Sequence, residues 1–147
     1  MNVLVVNGPN LNLLGEREPE IYGRTTLAEL ERTVEDYGRT LGMTLRFFQS
    51  NHEGAIIDEL HAQRTWADAL VINPAAFTHY SYALRDALLA IGVPAAEVHI
   101  SDVDKRPEAF RKISVVRDVC KHVFKGMGVG SYLAALDAFA RDGSARE

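Results

Sequence analysis

The sequence predicts a single α/β domain whose parallel sheet carries helices on both faces. Short apolar runs, each suited to a buried strand, alternate along the chain with longer stretches whose apolar residues recur at spacings of three and four. Strands that alternate with helices are joined by right-handed crossovers, and these connections give a parallel sheet between two layers of helices. A length of 147 residues suits one such unit, so we expect residues 1–147 to form one domain.

Five apolar runs are predicted to be strands. They comprise residues 3–6, 44–48, 69–72, 95–100 and 119–124. A five-stranded sheet of this kind suits the flavodoxin-like strand order 2-1-3-4-5, which is a three-layer sandwich. In such sheets a ligand binds outside the carboxyl ends of the strands, close to the switch point between strands 1 and 3.

Four amphipathic stretches are predicted to be helices. They comprise residues 27–41, the stretch around Ile56, Ile57 and Leu60, residues 79–91 and residues 132–139. Two of them follow a capping-box pattern, which Thr26 and Glu29 form before the first helix and Ser50 and Glu53 before the second. The third helix is expected to end at Gly92, with Pro94 beyond it.

Composition and charge exclude several classes of function. The formal net charge is −4 and no basic run is present, which argues against nucleic acid as a partner. The single cysteine, Cys120, excludes an internal disulfide and a cysteine-rich zinc site. No apolar stretch approaches the roughly 20 residues that cross a bilayer, and no signal peptide precedes the first strand, so we expect a cytoplasmic protein without a membrane partner.

The sequence also predicts a site without metal or cofactor. No histidine spacing is typical of a metal site, and the Walker and dinucleotide-binding glycine patterns are absent from the sequence. The four lysines, Lys105, Lys112, Lys121 and Lys125, all lie in the last third of the chain, away from the early strand ends. Catalysis through a lysine imine is therefore not expected.

Polar, hydrogen-bonding residues follow the predicted strands at their carboxyl ends. They are Asn7, Asn10, Asn12, Arg17 and Tyr22 after strand 1, Asn51 and His52 after strand 2, Asn73 and His79 after strand 3, and Glu97, His99 and Ser101 at the end of strand 4. Carboxyl ends of parallel strands share one edge of the sheet, so these groups should meet there. Such an edge suits a small polyhydroxylated molecule.

Arg17 and Tyr22 lie in a connection of about 17 residues, longer than is usual in a compact domain and typical of a lid or binding loop. A free tyrosine has a pKa of about 10, and a guanidinium beside it favours the phenolate that a general base requires. The alternative is that Tyr22 packs on the surface and Arg17 is solvated. We expect residues 11–23 to be mobile without ligand and to order over it.

Glu97, His99 and Ser101 alternate along strand 4 and therefore share one face. A carboxylate beside an imidazole fixes the ring and suits a general acid. The alternative is a structural histidine at the end of a strand.

Several segments together resemble the type II dehydroquinases. They are residues 7–15 (NGPNLNLLG), Arg17-Glu18-Pro19 with Tyr22-Gly23, residues 49–54 (QSNHEG), Asn73-Pro74 with Thr78-His79, and residues 97–101 (EVHIS), in the order that the family shows. The similarity covers nearly the whole chain.

The resemblance implies a cofactor-free lyase that eliminates water from 3-dehydroquinate and assembles as a dodecamer, a tetramer of trimers. Tyr22 would be the base with Arg17 beside it, Asn10 would hold a water at the enolate, and His99 would be the acid, oriented by Glu97. Substrate would be bound by Asn73, His79, Ile100, Ser101 and Arg111, and Asp86 would reach the site of a neighbouring subunit.

The chain departs from the family pattern at several positions. Ala75 replaces a usual glycine, Tyr80 a threonine, and Asp104 and Ile113 a histidine each, and the segment from Arg106 to Arg111 is one residue longer. A relative on the same scaffold that acts on another cyclic hydroxy-acid is therefore an alternative. A phosphoacceptor or flavin module on this fold is a second alternative, although Asn7 and Asn73 stand where a phosphoacceptor needs acids.

Overall fold

The fold was analysed in a computed structural model that describes residues 1–146, with the side chains of Tyr22 and residues 144–146 outside the description. Five strands form one parallel sheet in the order β2-β1-β3-β4-β5. The strands are β1 (Asn2–Asn7), β2 (Thr44–Gln49), β3 (Ala69–Asn73), β4 (Ala95–His99) and β5 (His122–Lys125). The predicted strand order is confirmed.

Five α-helices connect and cover the strands. They are α1 (Pro19–Tyr22), α2 (Leu27–Thr40), α3 (Glu53–Gln63), α4 (Tyr82–Ile91) and α5 (Gly130–Arg146). Short 3-10 helices occupy Leu11–Leu13, Ala75–His79, Val103–Lys105, Ala109–Lys112 and Arg117–Val119. Within residues 1–146, none of the helices combines the length and the apolar character that crossing a bilayer requires.

Alternate residues of the sheet form two separate hydrophobic cores. Val3 and Val5 pack on one face of the sheet with residues of α2 and α5, including Leu136. Leu4 and Val6 point to the other face and pack with residues of α3 and α4. Because both faces of β1 and β3 are buried, these strands contain continuous apolar runs instead of alternating ones.

Of the two predicted capping boxes, one is wrong. The hydroxyl of Thr26 accepts from the backbone N–H of Glu29 at 3.2 Å, so this cap of α2 is confirmed. Ser50 does not cap α3, because its hydroxyl accepts from the N–H of His52 at 2.9 Å and the N-cap residue is His52. The Glu53 carboxylate instead accepts from the hydroxyl of Ser81.

Other element boundaries also differ from the prediction. Helix α4 begins at Tyr82 instead of residue 79, because Ser81 is its cap and residues 75–79 form a separate 3-10 helix. Its end at Gly92, in the left-handed region with a φ of 67°, is confirmed. Strand β5 begins at His122 because a 3-10 helix occupies residues 117–119, and the last helix extends well beyond residues 132–139.

Candidate active site

A cleft of about 120 Å³ lies at the carboxyl edge of the sheet. Its walls come from the segments that follow β1, β3 and β4, which is the switch-point position expected for this strand order. Eight predicted site residues line it: Asn10, Arg17, Asn73, His79, His99, Ile100, Ser101 and Arg111. Glu97 lies directly behind His99, and Asp86 is exposed on α4. The side chain of Tyr22, the predicted base, lies outside the described part of the chain.

His99 is held at the end of β4 by a buried carboxylate. Its Nε2 lies 2.9 Å from Oε2 of Glu97, and the two side chains are 4% and 0% exposed. The predicted alternation along the strand thus brings the acid and the imidazole together on one face. Because Nε2 donates to the carboxylate, Nδ1 is the ring nitrogen that remains for a ligand in the cleft.

The carboxylate of Glu97 is kept in its charged form by its neighbours. Burial alone raises the pKa of this group, but hydrogen bonds and charges from His99, Ser114 and Arg117 outweigh burial and lower the pKa from 4.5 to about 2. A carboxylate that accepts several hydrogen bonds beside a cation behaves in this way. Glu97 is therefore ionised throughout the range in which an enzyme works.

His79 is held neutral on the opposite side of the cleft. Its Nδ1 lies 2.6 Å from the backbone oxygen of Ile113, so Nδ1 carries the proton. Burial lowers the pKa of His79, and the nearby His99 and Arg111 act in the same direction. The contact with residue 113 is made through the backbone, which explains how Ile113 can stand where the family pattern has a histidine.

Three arginines give the cleft a positive character. Arg17 and Arg106 both approach Oε2 of Glu18, at 3.5 and 3.8 Å. Arg111 pairs with Glu108 at 3.0 Å, an ion pair without an aligned hydrogen bond from Nε. Both Arg106 and Arg111 line the cleft, so the longer segment between them keeps two cations at the site. Such a cleft favours an anionic ligand.

A family model described as dehydroquinase class II matches residues 1–140. The chain belongs to the class II dehydroquinases. It is 55% identical over 137 residues to a Thermotoga maritima protein named 3-dehydroquinate dehydratase, covering 93% of each protein. It is 51% identical over 139 residues to a Neosartorya fischeri protein named catabolic 3-dehydroquinase 1, covering 95% of this chain and 92% of that protein.

A solved structure supports the same family. The crystal structure of a type II dehydroquinase from Butyrivibrio crossotus has a TM-score of 0.91 and 46% identity, covering 94% of this chain and 96% of that chain. The two chains are therefore similar in both sequence and fold over almost their whole length.

Buried polar contacts fix the dehydroquinase site from beneath. The hydroxyl of Tyr132 donates to Oδ1 of Asn7 at 2.6 Å and accepts from Nδ2 of Asn73 at 3.0 Å. Oδ1 of Asn73 accepts from the N–H of Ala75 at 3.1 Å. Asn73 therefore keeps one amide proton for a ligand, because its amide nitrogen carries two.

Residues outside the cleft support the loop after β1. Asn51 and His52 do not line the cleft, although both follow a strand at this edge. Oδ1 of Asn51 instead accepts from the backbone N–H of Asn10 at 2.9 Å. Asn10 needs this support because its φ of 69° lies in the left-handed region, which asparagine tolerates better than most residues.

Sequence reasoning missed three residues that support the dehydroquinase site: Ser114 and Arg117, which contact Glu97, and Tyr132, which orients Asn73. It assigned no role to Arg106, which lines the cleft. Ser114 and Arg117 follow a strand by more than ten residues, and Tyr132 belongs to the apolar face of α5, so no local pattern distinguishes them. Among the described residues, no group of three histidine, cysteine or acidic side chains is arranged to hold a metal.

Proposed function

We propose that this protein is a 3-dehydroquinate dehydratase, which eliminates water from 3-dehydroquinate to give 3-dehydroshikimate. The observation that carries the proposal is the imidazole of His99, held by a buried carboxylate in a cationic cleft of a class II dehydroquinase. The same reaction serves the shikimate pathway and quinate catabolism, and one relative is named for the catabolic role.

The cationic cleft suits the carboxylate and the ring hydroxyls of this substrate. We propose that Ile100 and Ser101 bind the carboxylate through their backbone N–H groups, at the end of β4. Asn73, His79 and Arg111 would bind ring hydroxyls. The free amide proton of Asn73 and the unprotonated Nε2 of neutral His79 are, respectively, a donor and an acceptor for such groups.

Tyr22 is proposed as the base that removes the proton alpha to the ketone. Its backbone ends α1, and Arg17, five residues earlier, lines the cleft. A guanidinium close to the phenol would favour the phenolate. Proton removal leaves an enolate, and Asn10 would hold the water that donates a hydrogen bond to the enolate oxygen.

His99 is proposed as the acid that completes the elimination. The enolate expels the ring hydroxyl, which takes a proton from Nδ1 of His99 and leaves as water. Glu97 holds the opposite nitrogen and balances the charge of the imidazolium. The cycle ends when the proton gained by Tyr22 returns to His99 through solvent, so neither group is consumed.

The test is the absorbance of the conjugated enone product after 3-dehydroquinate is added to the purified protein. Tyr22→Phe deletes only the phenolic oxygen, so kcat should fall by at least about 10²-fold while substrate still binds. Tyr37→Phe, on the α2 side of the sheet, is the matched control and should keep full activity. Near-normal kcat in Tyr22→Phe would show that the base is wrongly assigned.

A second variant separates the two proton transfers. His99→Ala should lose kcat but still exchange the alpha proton of the substrate with deuterium from solvent, because the base remains. If His99→Ala stops this exchange while substrate still binds, His99 is not confined to the acid step.

The quaternary structure is part of the proposal. We propose a dodecamer, a tetramer of trimers, in which the exposed Asp86 of α4 reaches a neighbouring site. Sedimentation at micromolar concentration should give this assembly, and Asp86→Ala should raise KM. A single species of the chain's own mass would refute the assembly.

A cytoplasmic location is also proposed, and it is tested by cell fractionation.

A further inference from the structure

The carboxylate of Glu97 is enclosed by a segment that contributes nothing to the cleft wall. Ser114 donates its hydroxyl proton to Oε1 of Glu97 at 2.5 Å. Arg117 donates to Oε2 from Nη2 at 3.0 Å and from Nε at 3.4 Å. Oε2 is the same atom that His99 contacts. Both oxygens of the carboxylate are therefore bound from the side opposite to the substrate.

The enclosing segment is itself anchored to the fold. The hydroxyl of Ser114 accepts from the backbone N–H of Arg117 at 3.1 Å, which closes a turn around the carboxylate. The N–H of Val115 donates to the carbonyl of Thr78 at 2.9 Å. Arg85 donates to the carbonyl of Val115 at 3.0 Å and pairs with Asp118. Arg117 thus reaches Glu97 from a fixed backbone.

Glu97 needs such a partner because it is completely buried in the middle of β4. An ionised carboxylate without a cation or several donors is not tolerated in a protein interior, and it becomes neutral instead. A neutral Glu97 would not hold the imidazolium of His99. Arg117 supplies a permanent positive charge, and its two N–H contacts restrict where Oε2 can lie.

We propose that Arg117 is a positioning residue for the acid step: its guanidinium fixes the carboxylate of Glu97, which in turn fixes the imidazole of His99. The inference rests on the proposed function, since the acid role of His99 belongs to it. Arg117 is one-third exposed and is absent from the cleft lining, so it acts through Glu97 and not on the substrate.

Few other charged groups face Glu97. His99 lies on the same strand, and His79 approaches from the 3-10 helix after β3. Cys120 approaches from the segment before β5, where burial, together with the charges of Glu97 and Asp118, raises the pKa of its thiol to about 12. Cys120 stays neutral and burial lowers the pKa of His79, so among the described side chains Arg117 is the permanent cation that contacts this carboxylate.

The first test compares kinetic constants. Arg117→Met removes the charge and keeps a side chain of similar length. We expect kcat to fall about tenfold and KM to change less than twofold. This loss of kcat is smaller than the contribution of a positioned acid, because Arg117 acts only through Glu97. Arg117→Lys keeps the charge and should recover most of the lost kcat. Should Arg117→Met fail to fold, Arg117→Gln makes the same comparison. An unchanged kcat in the uncharged variant would overturn the proposal.

Arg85→Met is the control for a merely structural role. It loosens the same segment by removing the contacts with Val115 and Asp118, but it leaves Glu97 untouched. We expect it to lower Tm and to keep kcat. If Arg85→Met lowers kcat as much as Arg117→Met, then segment order and not contact with Glu97 is responsible, and the proposal fails.

A double variant tests whether Arg117 acts through Glu97. Once Glu97→Gln has removed the charge, Arg117→Met should lower kcat by less than about twofold further, because coupled residues do not act independently. Multiplication of the two separate losses would contradict the proposal.

A measurement without substrate keeps this inference distinct from the proposed function. The carboxyl carbon of Glu97, followed by NMR in protein labelled with ¹³C-glutamate, should not titrate above about pH 4 in the unmodified protein, since the pKa is about 2. In Arg117→Met this titration should move to higher pH, because the charge of Arg117 is one of the contributions that lower the pKa of Glu97. If the protein did not dehydrate 3-dehydroquinate but this titration shifted, only the proposed function would fail. An unshifted titration would refute the role of Arg117 whatever the reaction.

Discussion

Removal of the Tyr132 hydroxyl is a sharp test of how the site is supported. Tyr132 is completely buried, and its hydroxyl donates to Asn7 and accepts from Asn73, at 2.6 and 3.0 Å. Tyr132→Phe leaves a buried acceptor and a buried donor without this partner, and each such loss costs about 1–3 kcal/mol. Because the ring still fills its place, we expect a total loss of about 2–4 kcal/mol in the free energy of unfolding.

Thermal unfolding at a fixed protein concentration measures this loss. For a chain of this size, about 2–4 kcal/mol corresponds to a fall in Tm of roughly 5–15 °C. Tyr37→Phe is the control, because its hydroxyl donates to Asp137 near the surface and its loss should matter less. Tyr132→Phe should also have a raised KM, since Asn73 loses the contact that orients it. A fall in Tm no larger than that of Tyr37→Phe would refute the reasoning.

Three further predictions follow from the site. Burial raises the pKa of Glu97, but His99, Ser114 and Arg117 lower it from 4.5 to about 2, so ionised Glu97 stabilises the fold above about pH 4.5 and this stabilisation is lost as the pH falls toward about 2. The stability difference between the unmodified protein and Glu97→Gln, measured by urea unfolding, should therefore shrink on acidification, and a constant difference would contradict the direction. Limited proteolysis should cut near Arg17 or Arg24, in a largely exposed loop, and a substrate analogue should slow the cutting; equal rates would exclude an ordering lid. Activity should survive EDTA, and borohydride with substrate should not inactivate the protein, whereas loss under either treatment would indicate a metal or an imine.

The fold followed from rules that act locally. Runs such as Val3–Val6 are apolar because both faces of the strand are covered, and this pattern is visible without a structure. Boundaries were less predictable where two local signals compete. Ser50 and Glu53 have the spacing of a capping box. However, the Ser50 hydroxyl accepts from the N–H of His52, and the Glu53 carboxylate accepts from Ser81, 28 residues away. A contact over that distance has no signature in a short segment.

Part of the site was equally accessible to the sequence. Strand ends of a parallel sheet share an edge, so polar groups after β1, β3 and β4 are expected to converge there. Six of the predicted polar residues line one cleft: Asn10, Arg17, Asn73, His79, His99 and Ser101. The short helix α1 within the long loop was not predicted, because four residues with a proline at the start carry no periodic pattern. Ala75 was recognised as a departure from the family pattern, and it has a φ of 52°, a left-handed conformation that favours glycine.

The remaining part of the site depends on charge balance, which spacing does not reveal. Alternation along β4 predicts that the side chains of Glu97 and His99 are in contact, and burial of β4 predicts that the carboxylate is excluded from water. These two statements together require a cation or several donors behind Glu97, since a dry and unpaired carboxylate would lose its charge. Among the cations downstream of the strand, the sequence offers the arginines Arg106, Arg111 and Arg117, and no periodic pattern distinguishes them. Only the geometry distinguishes them, because two face the cleft and Arg117 alone of the three contacts the carboxylate from behind. A buried acid beside a functional histidine therefore predicts that a cation supports it, and the fold decides which one.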